Sequence, residues 1–579
     1  MSEQKWWSNA VVYQIYPRSF ADGNGDGVGD LPGILAHLDH VASLGVDVVW
    51  LSPVYRSPMD DNGYDISDYE HVDPLFGTDA DLDAVIARCH ELGLKLVMDL
   101  VVNHTSDEHE WFEQSRRGVD DPKRDWYWWA PPRAGHVGGQ PGAEPTNWTS
   151  FFSGSTWEWD EASGEYYLHL FSRRQPDLNW ENPQVRDAVY AMMNRWLDRG
   201  VDGFRMDVVN LISKAVRPDG TLPDGDAAPG EFLGDGMPFT MNGPRIHEFL
   251  HEMHERVFAG HPGRELITVG EMPGVTIDEA RKFTDPARAE VDMVFQFEHV
   301  GLGRGPNGKF DTVDVDPLEL KDSLFRWQEG LADVGWNSLY WCNHDQPRPV
   351  SRFGDDSDEH RVASATALAT ILHLQRGTPY VYQGEEIGMR NVPFATIDDA
   401  QDIESRNAYA DALANGGDPG AVLEGIRAVG RDNARTPMQW TSGAHAGFTT
   451  GTPWLPAGPD HDRVNVAAQD DDPDSVLAHY RRLIALRHED DTVALGDFTA
   501  LAPRDPRVWA FTRRRGDDEL LVLANCSGDD VEVEGLPEEV VAAYADARLV
   551  LGNRTRGGRP EPTAAPRRLR PWEAVVLRA

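Results

Sequence analysis

Cysteine is scarce in this chain: three in 579 residues, Cys89, Cys342 and Cys526, odd in number and far apart. That excludes a disulfide framework or a zinc site of paired cysteines, and the thiols read as incidental groups in a reducing compartment. Long apolar runs are missing too. No stretch approaches the length of a membrane span, and residues 1–7 have no apolar signal core. A cytoplasmic protein without a membrane partner is expected. Positive charge is short, with 54 Lys and Arg against 96 Asp and Glu, a net −42. Such an excess disfavours nucleic acid and points to a neutral small-molecule substrate. There are no repeats and no low-complexity tail. No organic cofactor is expected, and the chain should be a monomer or weak homo-oligomer.

What is present describes an ordinary globular protein, 40% hydrophobic and 26% charged, long enough for two or three domains. Short apolar runs at 11–16, 46–51, 95–102, 203–208, 266–271, 293–298, 338–341 and 379–383 read as strands. Helical periodicity falls between them, at 31–42, after the capping residue Thr78, and at 184–199, 244–258, 318–333, 360–375 and 474–488. Eight such βα units predict an α/β fold, a closed (β/α)8 TIM barrel. The alternation breaks at 104–176, which reads as an inserted domain between barrel parts 1–103 and 177–495. A long final βα loop spans 385–460, and residues 496–579 predict a C-terminal antiparallel β-sandwich. The 19 tryptophans gather at 126–129 and 148–159, where core packing competes with stacking on sugar rings.

Chemistry concentrates at the predicted strand ends, where a barrel builds its active site. In the fourth strand Gly203 is read as ending the preceding helix, and alternation turns Arg205 and Asp207 to one side. An inward arginine and aspartate must be paired or functional. The third strand ends near Asp99 and His104, the fifth at Glu271, and the seventh at His344 and Asp345. Two nearby carboxylates are what retaining glycoside hydrolysis needs. Asp207 would be the nucleophile and Glu271 the acid/base, with Asp345 steadying the oxocarbenium-like transition state. Arg205 is expected to keep Asp207 ionised while Glu271, among negative neighbours, keeps its proton. Neutral imidazoles of His104 and His344 would bind sugar hydroxyls.

The blocks 99–104, 203–210, 271–274 and 343–345 resemble the signature regions of the α-amylase family, glycoside hydrolase family 13. Gln175-Pro176-Asp177-Leu178-Asn179 resembles a further motif of its oligo-1,6-glucosidase subgroup, and the likeness continues through 295–299 and 431–440. The resemblance implies the barrel, the insertion after strand three, the C-terminal β domain and the same three catalytic acids. It also implies that Tyr64 stacks on the first sugar, while Asp65 and Arg435 grip its hydroxyls and close the pocket. That makes an exo-acting α-glucosidase. Valine after the nucleophile, Val208, accompanies α-1,6 activity in similar enzymes, so isomalto-oligosaccharides are the expected substrates. The alternatives are an α-1,4-glucosidase with transglucosylation, a trehalose-6-phosphate hydrolase and a sucrose isomerase. No cationic phosphate pocket is visible in the sequence. The non-catalytic heavy subunits of amino-acid transporters lack the acids and carry an anchor, which excludes them.

A second constellation is the loop Asp22-Gly23-Asn24-Gly25-Asp26-Gly27-Val28-Gly29-Asp30. Oxygen ligands at Asp22, Asn24, Asp26 and Asp30, with the Val28 carbonyl, imitate the first nine positions of an EF-hand loop. The twelfth-position glutamate is replaced by Gly33, and Asp30 could instead cap the next helix. Related glucosidases bind calcium in a similar loop, so a structural calcium ion is expected.

Overall fold

The computed structural model describes residues 5–501 and 504–579. Eight strands form its centre: β1 (Val12–Ile15), β2 (Val48–Leu51), β3 (Lys95–Val101), β4 (Gly203–Asp207), β5 (Ile267–Glu271), β6 (Met293–Phe295), β7 (Ser338–Leu339) and β8 (Thr378–Tyr382). They pair in parallel in the order β6-β5-β4-β3-β2-β1-β8-β7. A lone parallel bridge between Val294 and Asn337 links β6 to β7, which closes the ring. Val12, Val48, Trp50, Val97, Val269, Phe295 and Tyr380 fill its interior. Each such burial contributes roughly 1.5–3 kcal/mol. Phe204 and Met206 point outward into the larger core between strands and helices.

Around the strands stand α1 (Leu31–Ser43), α2 (Asp79–Glu91), α3 (Pro183–Asp198), α4 (Ile246–Arg256), α5 (Ile277–Phe283), α6 (Pro317–Gly330), α7 (Arg361–His373) and α8 (Val476–Glu489). Asp30 caps α1 through Gly33 N–H, and Thr78 and Asp81 form a capping box on α2. The two-turn α5 is too short for its periodicity to stand out in the sequence. Gly203 does not end α3; Gly200 does, at φ 108°. Gly203 instead opens β4, where a Cβ would lie 1.9 Å from the Ile267 carbonyl oxygen.

The segment between β3 and α3 carries a small sheet of Trp129–Ala130, Trp157–Asp160 and Glu165–Leu168. The 385–460 region is not the open loop its Gly, Asp and Pro content predicts. It contains two helices, Ile403–Ala414 and Pro419–Val429, capped by Asp402 and Asp418. Those caps were the legible signal. At the C-terminus β9 (Asp497–Ala500), β10 (Val508–Arg515), β11 (Asp518–Asn525), β12 (Arg548–Gly552) and β13 (Ala574–Arg578) form one antiparallel sheet in the order β9-β10-β11-β13-β12. Its second layer is thin, a ribbon of Val531–Glu532 with Arg568–Leu569 plus the helix Glu538–Ala543. The other face covers α7, which explains why that helix is buried from Ala363 to His373.

Candidate active site

Strand β4 delivers Arg205 and Asp207 to the barrel mouth on its inward face. Arg205 is buried over the Trp50 ring, 5.1 Å from its centroid. Its Nη1 donates to Asp99 Oδ1 at 2.6 Å and Asp207 Oδ1 at 2.8 Å, while Nη2 reaches Glu271 Oε1 at 2.6 Å. Three neighbouring strands thus converge on one guanidinium. One cation cannot neutralise three buried carboxylates, so the cluster favours a proton held among them. Burial pushes the Asp207 carboxyl well up, Arg205 pulls it back, and Glu271 and Asp99 add to the rise. Arg205 therefore does not serve Asp207 alone, as the sequence suggests: its charge is divided among three acids.

Glu271 Oε2 also accepts the Val208 N–H at 3.1 Å. Val208 sits at φ 35°, ψ 38°, a left-handed conformation that costs a β-branched residue about 1–3 kcal/mol. The bend breaks the strand's alternation. It aims the N–H at Glu271 and leaves the valine side chain on the cavity wall beside Asp207.

Asp345, beyond β7, forms the opposite wall. Its Oδ1 accepts from Arg435 Nη2 at 2.7 Å and Arg431 Nη1 at 3.4 Å, and its Oδ2 lies 3.1 Å from His344 Nε2. Burial opposes ionisation, but His344, Arg431 and Arg435 outweigh it and hold Asp345 well below the usual carboxylate range. His344 Nδ1 is 2.8 Å from Gln14 Nε2, which places the imidazole proton on Nε2, facing Asp345. Its ring lies between Tyr64 (5.0 Å, 3° interplanar) and Tyr16 (5.9 Å, 11°). Tyr64 OH in turn donates to Asp99 Oδ2 at 3.0 Å.

These groups border a cavity of about 340 Å³, at the small end of the ~300–1,000 Å³ range for ligand pockets. Asp207, Glu271, Asp345, Tyr64 and His104 line it. Burial pushes His104 down to about 4, so its imidazole is neutral at pH 7. Its Nε2 lies 3.0 Å from the Tyr64 carbonyl oxygen. Four expected substrate-binding residues do not line the cavity, among them Arg205, whose guanidinium is taken up by the three acids. Asp65 is fully buried, its carboxylate accepting from Ser57 Oγ and the N–H groups of Asp60 and Asp61. Arg435 and His344 stand behind Asp345 as its supports. A charged pair does stand on the cavity wall, Asp61 with Arg431, 3.0 Å apart, each four positions before the residue the resemblance suggested.

A family model of the α-amylase catalytic domain matches residues 14–496. The chain belongs to the α-amylase family. It is a glycoside hydrolase, similar throughout to the oligo-1,6-glucosidase of Parageobacillus thermoglucosidasius, at 53% identity over 100% of this chain and 99% of that one. The trehalose-6-phosphate hydrolase of Bacillus subtilis (strain 168) is 46% identical over 99% of this chain and 98% of its own. A solved structure of an isomaltulose synthase mutant from Erwinia rhapontici NX5, in complex with D-glucose, superposes with a TM-score of 0.91 at 38% identity, covering 100% of both chains.

As in the sequence reading, this α-amylase-family chain brings Asp207, Glu271 and Asp345 to one cavity, but other lining residues were missed. Trp126, Trp148 and Trp157 are buried in packing, Trp148 against Phe239, and the aromatic wall is made instead by Phe151, Phe152, Phe171 and Phe297. The Gln-Pro-Asp-Leu-Asn segment also acts here, since Gln175 Nε2 donates to Asp61 Oδ2 and the Tyr64 carbonyl, each at 3.2 Å. Arg304 and Lys309, from the hairpin of Arg304–Gly305 with Gly308–Thr312, add positive charge to the cavity. Lys309 is neutralised by Glu404 at 2.5 Å, whereas Arg304 has no ion pair among the described residues.

In the 22–30 loop Asp22, Asn24 and Asp26 accept backbone N–H groups one after another. Asp30 Oδ1 caps α1, while its Oδ2 is buried without a partner. Among the described residues no three His, Cys, Asp or Glu side chains make a metal site alone. A cation at this loop would have to use Asn24 and the Val28 carbonyl as well. No described helix is long and apolar enough to cross a membrane.

Proposed function

We propose that this enzyme is a retaining exo-α-glucosidase that releases glucose from short α-1,6-linked isomalto-oligosaccharides. The observation that carries the exo reading is the Asp61–Arg431 pair on the cavity wall beside the three acids. A sugar with free terminal hydroxyls fits such an end, and a continuing chain does not. Asp207 would attack the anomeric carbon, Glu271 would protonate the leaving oxygen and then activate water, and Asp345 would steady the developing positive charge. Val208 on the wall and the names of several relatives, oligo-1,6-glucosidase and glucan 1,6-alpha-glucosidase, support the 1,6 linkage.

One observation favours a second reading. The unpaired Arg304 guanidinium suits a phosphate on the leaving sugar, as in trehalose 6-phosphate. Glucose release from isomaltose, maltose and trehalose 6-phosphate at matched concentrations separates the two. Isomaltose should be fastest; a clear lead for the phosphorylated sugar would replace the first reading with the second.

The 22–30 loop is proposed to hold calcium, with Asp22, Asn24, Asp26, the Val28 carbonyl and Asp30 as ligands. The buried, unpartnered Asp30 Oδ2 supports this. A bound cation would lock the loop against α1 and stabilise the fold. Chelation should lower the unfolding midpoint by several degrees and calcium should restore it. An unchanged midpoint, with no metal in elemental analysis, would exclude the ion.

A further inference from the structure

We propose that Asp402 is a positioning residue that builds the closed end of the cavity by holding Arg431. This rests on the exo reading above. Asp402 is fully buried and comes from the 385–460 segment, outside every signature block. Its Oδ1 lies 2.7 Å from Arg431 Nε and 2.6 Å from Arg431 Nη2, closer than any other carboxylate to that guanidinium. Arg435 Nη1 is 3.6 Å from the same oxygen. Its Oδ2 accepts from Ser405 N–H at 2.9 Å and Ser405 Oγ at 2.7 Å, so the acid is anchored to a helix start. Two edges of Arg431 are thereby used up: Nε and Nη2 turn to Asp402, and only the remaining reach of Nη2 and Nη1 serves Asp61 and Asp345, at 3.0 and 3.4 Å.

The remaining acid near Arg431 cannot replace it. Glu404 Oε2 is 3.5 Å from Arg431 Nε and is already engaged by Lys309. Asp345 keeps Arg435 and His344 when Arg431 moves. Asp61 keeps only the Gln175 amide, at 3.2 Å. Loss of Asp402 should therefore loosen the grip on the terminal sugar and spare the reacting groups.

The test is steady-state kinetics on isomaltose with Asp402→Asn, Asp61→Asn and the double variant, alongside thermal unfolding. Asp402→Asn should raise KM at least tenfold with kcat within about threefold. The double variant should be no worse than Asp61→Asn, because both act through Arg431. A KM unchanged in a folded variant, or effects that multiply in the double variant, would overturn the proposal. If Asp402→Asn does not fold, Asp402→Glu keeps the charge and shifts it by one methylene; a wild-type KM there would also overturn it. Failure of the wild type to release glucose from isomaltose or maltose would instead sink the glucosidase reading.

Discussion

At the residue scale the site is a problem of charge division. Arg205 serves Asp99, Asp207 and Glu271 together, so none of the three acids has a cation to itself. Asp207→Asn keeps the shape and removes the carboxylate of the proposed nucleophile; turnover should fall at least about 10⁴-fold with an unfolding midpoint no lower than wild type. Val208 has two jobs, since its strained backbone donates to Glu271 and its side chain lines the cavity. Val208→Thr keeps the branched shape but puts a hydroxyl beside the leaving group. The ratio of kcat/KM for isomaltose over maltose should fall about tenfold, within the ~1–3 kcal/mol that one such group supplies. An unchanged ratio would move the linkage preference to the loops.

At the scale of elements, helices α7 and α8 meet in a buried contact. His373 is fully buried with neither ring nitrogen partnered, and His479 Nε2 lies 2.8 Å from Thr370 Oγ1. Burial pushes both imidazoles down to about 3. With the folded value below the unfolded ~6.5, the unfolded chain binds the extra proton, so each histidine costs stability as pH falls from 6.5 toward 3. His373→Leu removes one such cost. Its stability relative to wild type should improve by up to about 1.4 kcal/mol per pH unit below 6.5. Unfolding midpoints measured from pH 7 to 4.5 would show it, and a constant difference would mean that His373 is already charged in the fold.

Elements also show where a sequence reading works. The barrel strands were legible because burial on both faces makes them short continuous apolar runs, and most helices because one buried face imposes a period of 3.6. Thr78 and Asp30 could be read as caps for the same local reason. The partner of Asp61 was not legible. Arg431 and Arg435 lie four apart in one short helical turn, and only their long-range contacts decide which lines the cavity.

At the scale of the whole molecule, net charge becomes a tool. A chain at −42 repels an anionic substrate at long range, and salt screens that repulsion. Between 20 and 200 mM NaCl, roughly the range over which the Debye length shrinks to molecular contact distances, kcat/KM for isomaltose should stay constant. For trehalose 6-phosphate it should rise, unless Arg304 focuses the local field enough to reverse the sign. A fall with salt would mark Arg304 as a phosphate ligand and favour the second reading.

The linear chain by itself determined the barrel, its insertion, the β-rich C-terminus and the three acids at the strand ends. These follow from local apolar runs and helical periodicity, and from a rule that places barrel chemistry at one face. Only the tertiary structure decided that one arginine is shared by three carboxylates, that Val208 is bent out of its strand, and that Asp61 with Arg431 lines the cavity while Asp65 holds its own loop. Those outcomes depend on distances between residues up to 370 apart in sequence, which no local pattern encodes.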